Sequence, residues 1–243
     1  ATEIFLAAIF ASEMALLRDA YKRARTEGSG HERLFGNREL ARLTSAIQGA
    51  IISSGLELER LVLERASTIS DLDAYLNADL IPEGVFAVPK KQIQRSKILD
   101  VPETEPDFLL FERKGRHQNC YIVELKDGDQ FDTKKAAGER ASLHKFMTAV
   151  AQHIQFRTSI HVCFFHAETR QQVVDGFKRK IAFDEALTGR EFCKILNVDY
   201  DEILSLRREK QIDNFNFFVD RLLEIEAVQD AINDKLGFGT IDF

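Results

Sequence analysis

The 243-residue sequence lacks several features that would assign a protein to a familiar class. It has no tryptophan and only four prolines. No apolar run approaches the roughly 18 residues that a membrane-spanning helix needs. A short apolar section lies near the N-terminus, but acidic Glu3 precedes it and no basic segment does, which favours an amphipathic helix over a signal peptide. The nucleotide-binding motifs GxxxxGK[ST] and GxGxxG, the hydrolase motif GxSxG and the zinc motif HExxH are all missing.

Cysteine is also scarce, and its arrangement argues against both disulfides and zinc. The three cysteines are Cys120, Cys163 and Cys193, and no CxxC pair occurs. All three lie in apolar or strand-like surroundings, so we expect buried, reduced thiols in a cytoplasmic protein. The histidines from His144 to His166 have neither HxH nor HxxxH spacing, which makes a histidine-bound metal a poor interpretation.

The charge of the chain is acidic overall but unevenly distributed. The net charge is −6 and the pI is about 5.6, which opposes a general attraction to nucleic acid. Basic residues nevertheless cluster before, within and after the segment 106–126. The candidates for contact with DNA are Lys90, Lys91, Arg113, Arg116, Lys134, Lys135 and Arg140. Two interpretations remain open, a basic cleft on an acidic protein or scattered solvated side chains.

The most informative stretch is PDFLLFERKGRHQNCYIVELK, residues 106–126. DFLLFER and NCYIVEL are both strand-prone, and glycine and charge separate them, which predicts a β-hairpin. If the turn is centred between Gly115 and Arg116, facing residues have numbers that sum to 231. Asp107 then faces Glu124, and Lys126 lies two residues further along on the same face.

Facing carboxylates destabilise a sheet, and a bound cation would remove that cost. Two carboxylates, from Asp107 and Glu124, and one backbone carbonyl, from Leu125, suit Mg²⁺, which prefers hard oxygen ligands and keeps several waters. The competing interpretation is a surface hairpin with an incidental cluster of Asp, Glu and Lys.

Pro106-Asp107 followed by Glu124-Leu125-Lys126 resembles the motif of the PD-(D/E)XK nucleases, the superfamily of most type II restriction endonucleases. The resemblance covers about residues 55–166. It implies a prokaryotic, cytoplasmic, Mg²⁺-dependent enzyme, a homodimer that cuts double-stranded DNA at specific sites and leaves 5′-phosphates. Asp107, Glu124 and Lys126 would be catalytic, and Lys126 would either orient the attacking water or stabilise charge on the phosphate. The segment SSGLELERLVLER is similar to an N-terminal helix of such enzymes, which makes Glu59, or secondarily Glu57, an additional acidic group near the metal.

The predicted architecture is α/β with an α+β character, a mixed central sheet of the restriction-endonuclease type flanked by helices. One nuclease domain, 1–243, would comprise a helical N-terminal part (1–80), a catalytic core (85–166) and a helical C-terminal part (167–243). Helices are expected at 1–26, 37–66, 68–80, 133–155, 169–182 and 199–235, the last in pieces, and a capping box at Thr188–Glu191 starts another. Strands are expected at 85–88, in the two halves of the hairpin, and at 158–166, with a βαβ crossover before the last strand.

Two kinds of function remain compatible with the sequence. One is a site-specific restriction endonuclease, with a repair or junction nuclease as a variant within the enzyme class. The other is a non-catalytic DNA-binding or assembly protein of the same fold, in which the acidic hairpin is structural. The intact Asp107, Glu124 and Lys126 favour the first, and the target sequence cannot be derived from the chain.

Overall fold

The computed structural model describes residues 17–24, 29–99 and 105–237. These residues form two compact units. One comprises the described residues up to Glu57 and from Leu204 onward, and the other comprises Leu58–Ile203. The hairpin and all strands of the sheet belong to the second unit.

The described residues of the second unit form a sheet of five strands in the order β1-β2-β3-β4-β5. The strands are β1 Gly84–Pro89, β2 Phe108–Lys114, β3 His117–Lys126, β4 Arg157–Phe164 and β5 Ala186–Thr188. Strand β2 is antiparallel to both β1 and β3, whereas β3, β4 and β5 run parallel to one another. This mixed sheet flanked by helices confirms the predicted α/β class.

The hairpin of β2 and β3 has the predicted register. Lys114 faces His117 across the turn and Phe108 faces Val123, so paired residues sum to 231. Gly115 occupies the turn with φ of 59°, a left-handed conformation that glycine adopts without a steric cost. Strand β4 is joined to β3 through an intervening helix and pairs with it in parallel, as predicted for a βαβ unit.

The helices flank this sheet or build the other unit. Their bounds are α1 Leu17–Arg23, α2 Gly30–Phe35, α3 Arg38–Arg65, α4 Leu72–Leu76, α5 Lys90–Ile93, α6 Thr133–Val150, α7 Arg170–Gly176, α8 Gly189–Leu196, α9 Tyr200–Leu223 and α10 Glu226–Leu236. Asp132 caps α6, and Thr188 with Glu191 forms the predicted capping box of α8. In the described part of the chain, no helix is long and apolar enough to span a membrane.

The helix predicted at 37–66 is confirmed as α3, which runs uninterrupted past Ser53, where the hydroxyl donates to the carbonyl of Gly49. Several other predicted bounds are wrong. The helix predicted at 68–80 is only α4, capped by Asp71. The helix predicted at 133–155 ends at Val150, and the one predicted at 169–182 ends at Gly176. Strand β5 was not predicted. Of the helix expected at 1–26, residues 1–16 and 25–26 lie outside the described residues.

The main core lies between one face of the sheet and helix α6. Its sheet residues are Leu109, Phe111, Cys120, Ile122, Ile160, Val162 and Phe164, and its helix residues include Leu143, Phe146 and Val150. Because side chains alternate along a strand, Asp107, Glu124 and Lys126 continue the same face beyond the apolar core. The three cysteines are free and buried, as predicted.

The smaller unit has its own apolar contacts. Leu17, Ala20 and Ala46 form a buried cluster, against which Tyr21 and Phe217 pack with ring centroids 5.7 Å apart. The amide of Leu17 donates a 2.8 Å hydrogen bond to Asn214 Oδ1, which satisfies one of the free amides at the start of α1.

Candidate active site

The site is built where β3 ends beside the residue that precedes β2. Asp107 is fixed there from two directions. Its Oδ2 accepts a 2.8 Å hydrogen bond from the amide of Leu125, and its carbonyl accepts a 3.1 Å bond from the amide of Lys90 at the start of α5. The carboxylate of Asp107 therefore belongs to the end of the β2–β3 ladder.

Glu124 and Lys126 complete the cluster from β3. The Lys126 ammonium forms an ion pair with Glu124 Oε1 and lies 3.9 Å from Asp107 Oδ2. The side chains of Glu124 and Asp107 are only 7% and 14% exposed, whereas Lys126 is 31% exposed. The two carboxylates are thus nearly enclosed, with one ammonium between them and solvent.

Pro106 has a specific place in this geometry. The hairpin register, continued by one pair beyond Asp107 and Glu124, sets Pro106 opposite Leu125. Proline has no N–H to donate, and the Leu125 amide bonds to the Asp107 side chain instead of to a backbone carbonyl. Because the carbonyl of a strand residue points to the same side as its amide, the Leu125 carbonyl lies on the side of β3 that faces β2.

The electrostatics show that this pocket holds more negative charge than it can stabilise. Burial, together with the charge of Asp107, raises the pKa of Glu124 to about 8. Burial also raises the pKa of Asp107. Burial would lower the pKa of Lys126, but the carboxylates of Glu124 and Asp107 outweigh it and the net direction is upward. One ionised carboxylate suffices to hold the lysine charge, and the second is driven toward its neutral form.

Two more carboxylates act on the cluster. Glu59, on α3, has a pKa raised to about 7 by burial and by the charge of Asp107, so the structure brings this predicted residue beside the pair. Glu139, on α6, raises the pKa of both Asp107 and Glu124 by its charge. Glu139 was not predicted as an acidic group of the site. Its spacing along α6 could have indicated it, because Glu139 lies three residues after buried Ala136 and four before buried Leu143 and so shares the helix face that meets the sheet.

The residues present fit a hard divalent cation. Two enclosed carboxylates with raised pKa values and a backbone carbonyl directed between strands are the oxygen donors that Mg²⁺ prefers. Within the described ranges, no group of three or more His, Cys, Asp or Glu side chains is arranged to hold a metal. The oxygen donors available to such a cation are the carboxylates of Asp107 and Glu124 and the Leu125 carbonyl, and water would have to complete its shell.

The basic residues singled out in the sequence are distributed over both ends of the sheet. Lys90 lies close to the cluster, since its charge lowers the pKa of Asp107 and Glu59, and Lys91 follows it in α5. Lys134 and Lys135 are exposed in the first turn of α6. Arg140 is paired with Glu185 at 3.1 Å.

The two hairpin arginines are elsewhere. Arg113 and Arg116 lie at the turn end of the hairpin, about 20 Å from Asp107 at a strand rise of about 3.3 Å per residue. Arg113 also donates a hydrogen bond to the carbonyl of Ile81, which ties its guanidinium to the protein. The structure therefore does not bring these two arginines to the acidic cluster.

A mixed sheet flanked by helices, with an enclosed Asp–Glu pair and a lysine at a strand end, is consistent with the restriction-endonuclease-like class. Comparison with known proteins gives the same answer. The chain is 36% identical over 210 residues to the type II restriction enzyme HhaII of Haemophilus parahaemolyticus, which covers 84% of this chain and 92% of that protein. The chain belongs to the type II restriction enzymes, a family of site-specific deoxyribonucleases. No protein-family model matches the chain, and neither does any solved structure.

Proposed function

We propose that this protein is a Mg²⁺-dependent endonuclease that hydrolyses both strands of a specific double-stranded DNA sequence and leaves 5′-phosphates. The observation that carries the proposal is the enclosed cluster of Asp107, Glu124 and Lys126 at the strand ends. Membership of the type II restriction enzymes supports it. A purely structural role is a poor explanation, because buried like charges with raised pKa values cost stability unless a ligand compensates them.

Asp107, Glu124 and the Leu125 carbonyl would hold the Mg²⁺. The ion, when bound, supplies charge to polarise a phosphate oxygen and lowers the pKa of water. Asp107 is held for this purpose by the Leu125 amide, so its carboxylate does not have to reorganise when DNA arrives.

Lys126 acts on the phosphate side of the site. Its ammonium is held by Glu124 and lies 5.8 Å from the centre of the Phe131 ring, so its charge is confined between a carboxylate and an aromatic face. The raised pKa keeps Lys126 protonated at neutral pH, as a donor for the negative charge that develops on the phosphate or for a positioned water.

Glu59 is the additional acidic group of the site. With a pKa of about 7 it exchanges protons readily near neutral pH, which suits a group that accepts a proton from water or adjusts its charge when a cation binds. Glu57 is the alternative for this role.

The DNA backbone would run along the basic residues nearest the cluster, Lys90 and Lys91 on one side and Lys134, Lys135 and Arg140 on the other. Arg113 and Arg116 would contact DNA only at a distance from the cut. A homodimer would apply one site to each strand, since a two-fold symmetric protein matches a palindromic target.

The test is incubation with unmethylated phage DNA, with and without Mg²⁺, beside Lys126→Ala. Discrete fragments that require both Mg²⁺ and Lys126 support the proposal, and their ends give the target and the phosphate position. A smear indicates an unspecific or repair nuclease. Intact DNA across many substrates, with binding retained, would instead favour the non-catalytic alternative.

A further inference from the structure

A basic turn of unusual backbone geometry follows α7. Phe177 is buried in the core, and Lys178, Arg179 and Lys180 follow it as three consecutive cations. Lys178 and Arg179 have φ of 56° and 57°, so two successive side chains occupy the left-handed region. Residues with a Cβ rarely adopt this conformation, and glycine is the usual choice at a helix C-terminus of this kind.

The hydrogen bonds explain how the turn is enforced. The amide of Arg179 donates to the carbonyl of Val174 at 2.8 Å, and the amide of Lys178 donates to the carbonyl of Asp175 at 3.0 Å. This pair of bonds closes the C-terminus of α7 and requires a left-handed residue at Lys178, and Arg179 continues in the same conformation. Closure therefore requires the conformation, but it does not require lysine or arginine, which are less favourable there than glycine.

The turn adjoins the acidic cluster. The amide of Phe131 donates a 3.0 Å bond to the carbonyl of Gly176, and the rings of Phe131 and Phe177 lie 4.8 Å apart. The Lys126 ammonium lies 5.8 Å from the centre of the Phe131 ring. Phe131 therefore contacts both the lysine of the cluster and the residues from which the basic turn begins.

The cations of the turn are accessible. The side chain of Arg179 is 81% exposed, with a 3.0 Å ion pair to Asp175 of the preceding helix turn, and Lys180 is exposed as well. An ion pair as exposed as this one is worth little in water, so an incoming phosphate can replace it.

We infer that Lys178, Arg179 and Lys180 form a phosphate-binding turn that holds the DNA backbone next to the scissile phosphate. This inference rests on the proposed nuclease function and adds a part of the substrate site that the sequence patterns did not indicate. The left-handed conformation sets the backbone positions of two charged residues directly after Phe177, which packs against Phe131, and that placement is the reason for basic residues where glycine would fold more easily.

The strain provides a variant that should not damage the fold. Lys178→Gly combined with Arg179→Gly removes two charges and relieves two left-handed side chains, so its melting temperature should equal or exceed that of the wild type. Lys114→Ala, which removes one exposed charge at the far end of β2, is the control.

Binding is measured by fluorescence anisotropy with a short labelled DNA duplex in EDTA, where cleavage does not interfere, over a series of salt concentrations. Each lost phosphate contact lowers the salt slope by about 0.9, so the double variant should lose about 1.8 and bind more than about tenfold more weakly near 0.1 M salt. Lys114→Ala should bind like the wild type.

An unchanged affinity and slope in the glycine double variant would overturn the inference while leaving the nuclease function intact, provided that the wild type cleaves DNA with Mg²⁺. A loss of about half that size in Lys114→Ala, which removes one charge where the double variant removes two, would also overturn it, since the effect would then follow net charge. Failure of the wild type itself to bind or cut DNA would remove the proposed function on which the inference rests.

Discussion

Replacing Glu124 by glutamine should stabilise the metal-free protein while removing its activity. The carboxylate is 7% exposed and shares its pocket with Asp107, and its pKa is raised to about 8 mainly by burial. A glutamine has almost the same shape and no charge. In EDTA, the variant therefore lacks the destabilisation that the buried, ionised Glu124 carboxylate causes in the metal-free wild type.

The magnitude follows from the pKa. Raising it from 4.5 to about 8 makes ionisation cost the folded state about 5 kcal/mol more than the unfolded state, at about 1.4 kcal/mol per tenfold change in proton affinity. The amide loses the ion pair with Lys126 and needs hydrogen bonds of its own, which leaves a net gain of about 2–3 kcal/mol at pH above 8. For a chain of this length, that is roughly 5–10 °C in Tm.

The pH dependence has a definite sign. Below pH 4.5 the carboxyl is protonated in both states and contributes no difference. The penalty grows as the pH rises from 4.5 to about 8 and is constant above that value. Chemical denaturation of wild type and Glu124→Gln in EDTA at several pH values measures it, with Glu168→Gln as an exposed control. A variant less stable than the wild type above pH 8, or a gain independent of pH, would refute the reasoning.

Three further perturbations test the fold around the site. Burial lowers the pKa of His161 to about 4, whereas a histidine in the unfolded chain has a pKa near 6.5. Protonation therefore favours the unfolded state. Stability should therefore fall by about 2.5 kcal/mol as the pH drops from 6.5 to 4, and urea titrations of His161→Asn should show a smaller fall. Gly176→Ala would place a Cβ in steric overlap with the carbonyl of Asp129 and should lower Tm, whereas Gly138→Ala in α6 meets no neighbour and should raise it slightly. Phe111→Ala should cost about 3–5 kcal/mol in the same titrations.

The hairpin and the grouping of its acidic residues were predictable, because the position of the turn determines which residues face each other across the two strands. Once Gly115 fixed the turn, the pairing of every residue followed, and the alternation of side chains put Asp107, Glu124 and Lys126 on one face.

Features that depend on tertiary contacts were not predictable. The apolar spacing in 169–182 continues through Phe177, but that ring packs against Phe131 and Phe164, and the chain turns away at Lys178 in a conformation that sequence rules reserve for glycine or asparagine. Strand β5 is only three residues long, too short for a periodic signal, and it forms because β4 offers it a parallel edge.

The two further acidic residues of the site, Glu59 and Glu139, also differ in how far the sequence could predict them. Glu59 was identified through a resemblance, and the structure places it within the electrostatic reach of Asp107. Glu139 was not predicted, because the spacing that places it on the buried face of α6 does not by itself show that this face meets the strand ends.

The central claim is that Asp107, Glu124 and Lys126 form the hydrolytic site. Its most direct test is the single-turnover rate of cleavage of an unmethylated target duplex in Mg²⁺ by wild type, Asp107→Asn and Asp129→Asn, with DNA affinity measured alongside. Asp129 is a nearby exposed carboxylate outside the cluster and serves as the control. The account predicts that Asp107→Asn loses at least about a thousandfold in rate and keeps its affinity, while Asp129→Asn cleaves normally. Cleavage by Asp107→Asn at the wild-type rate would contradict it.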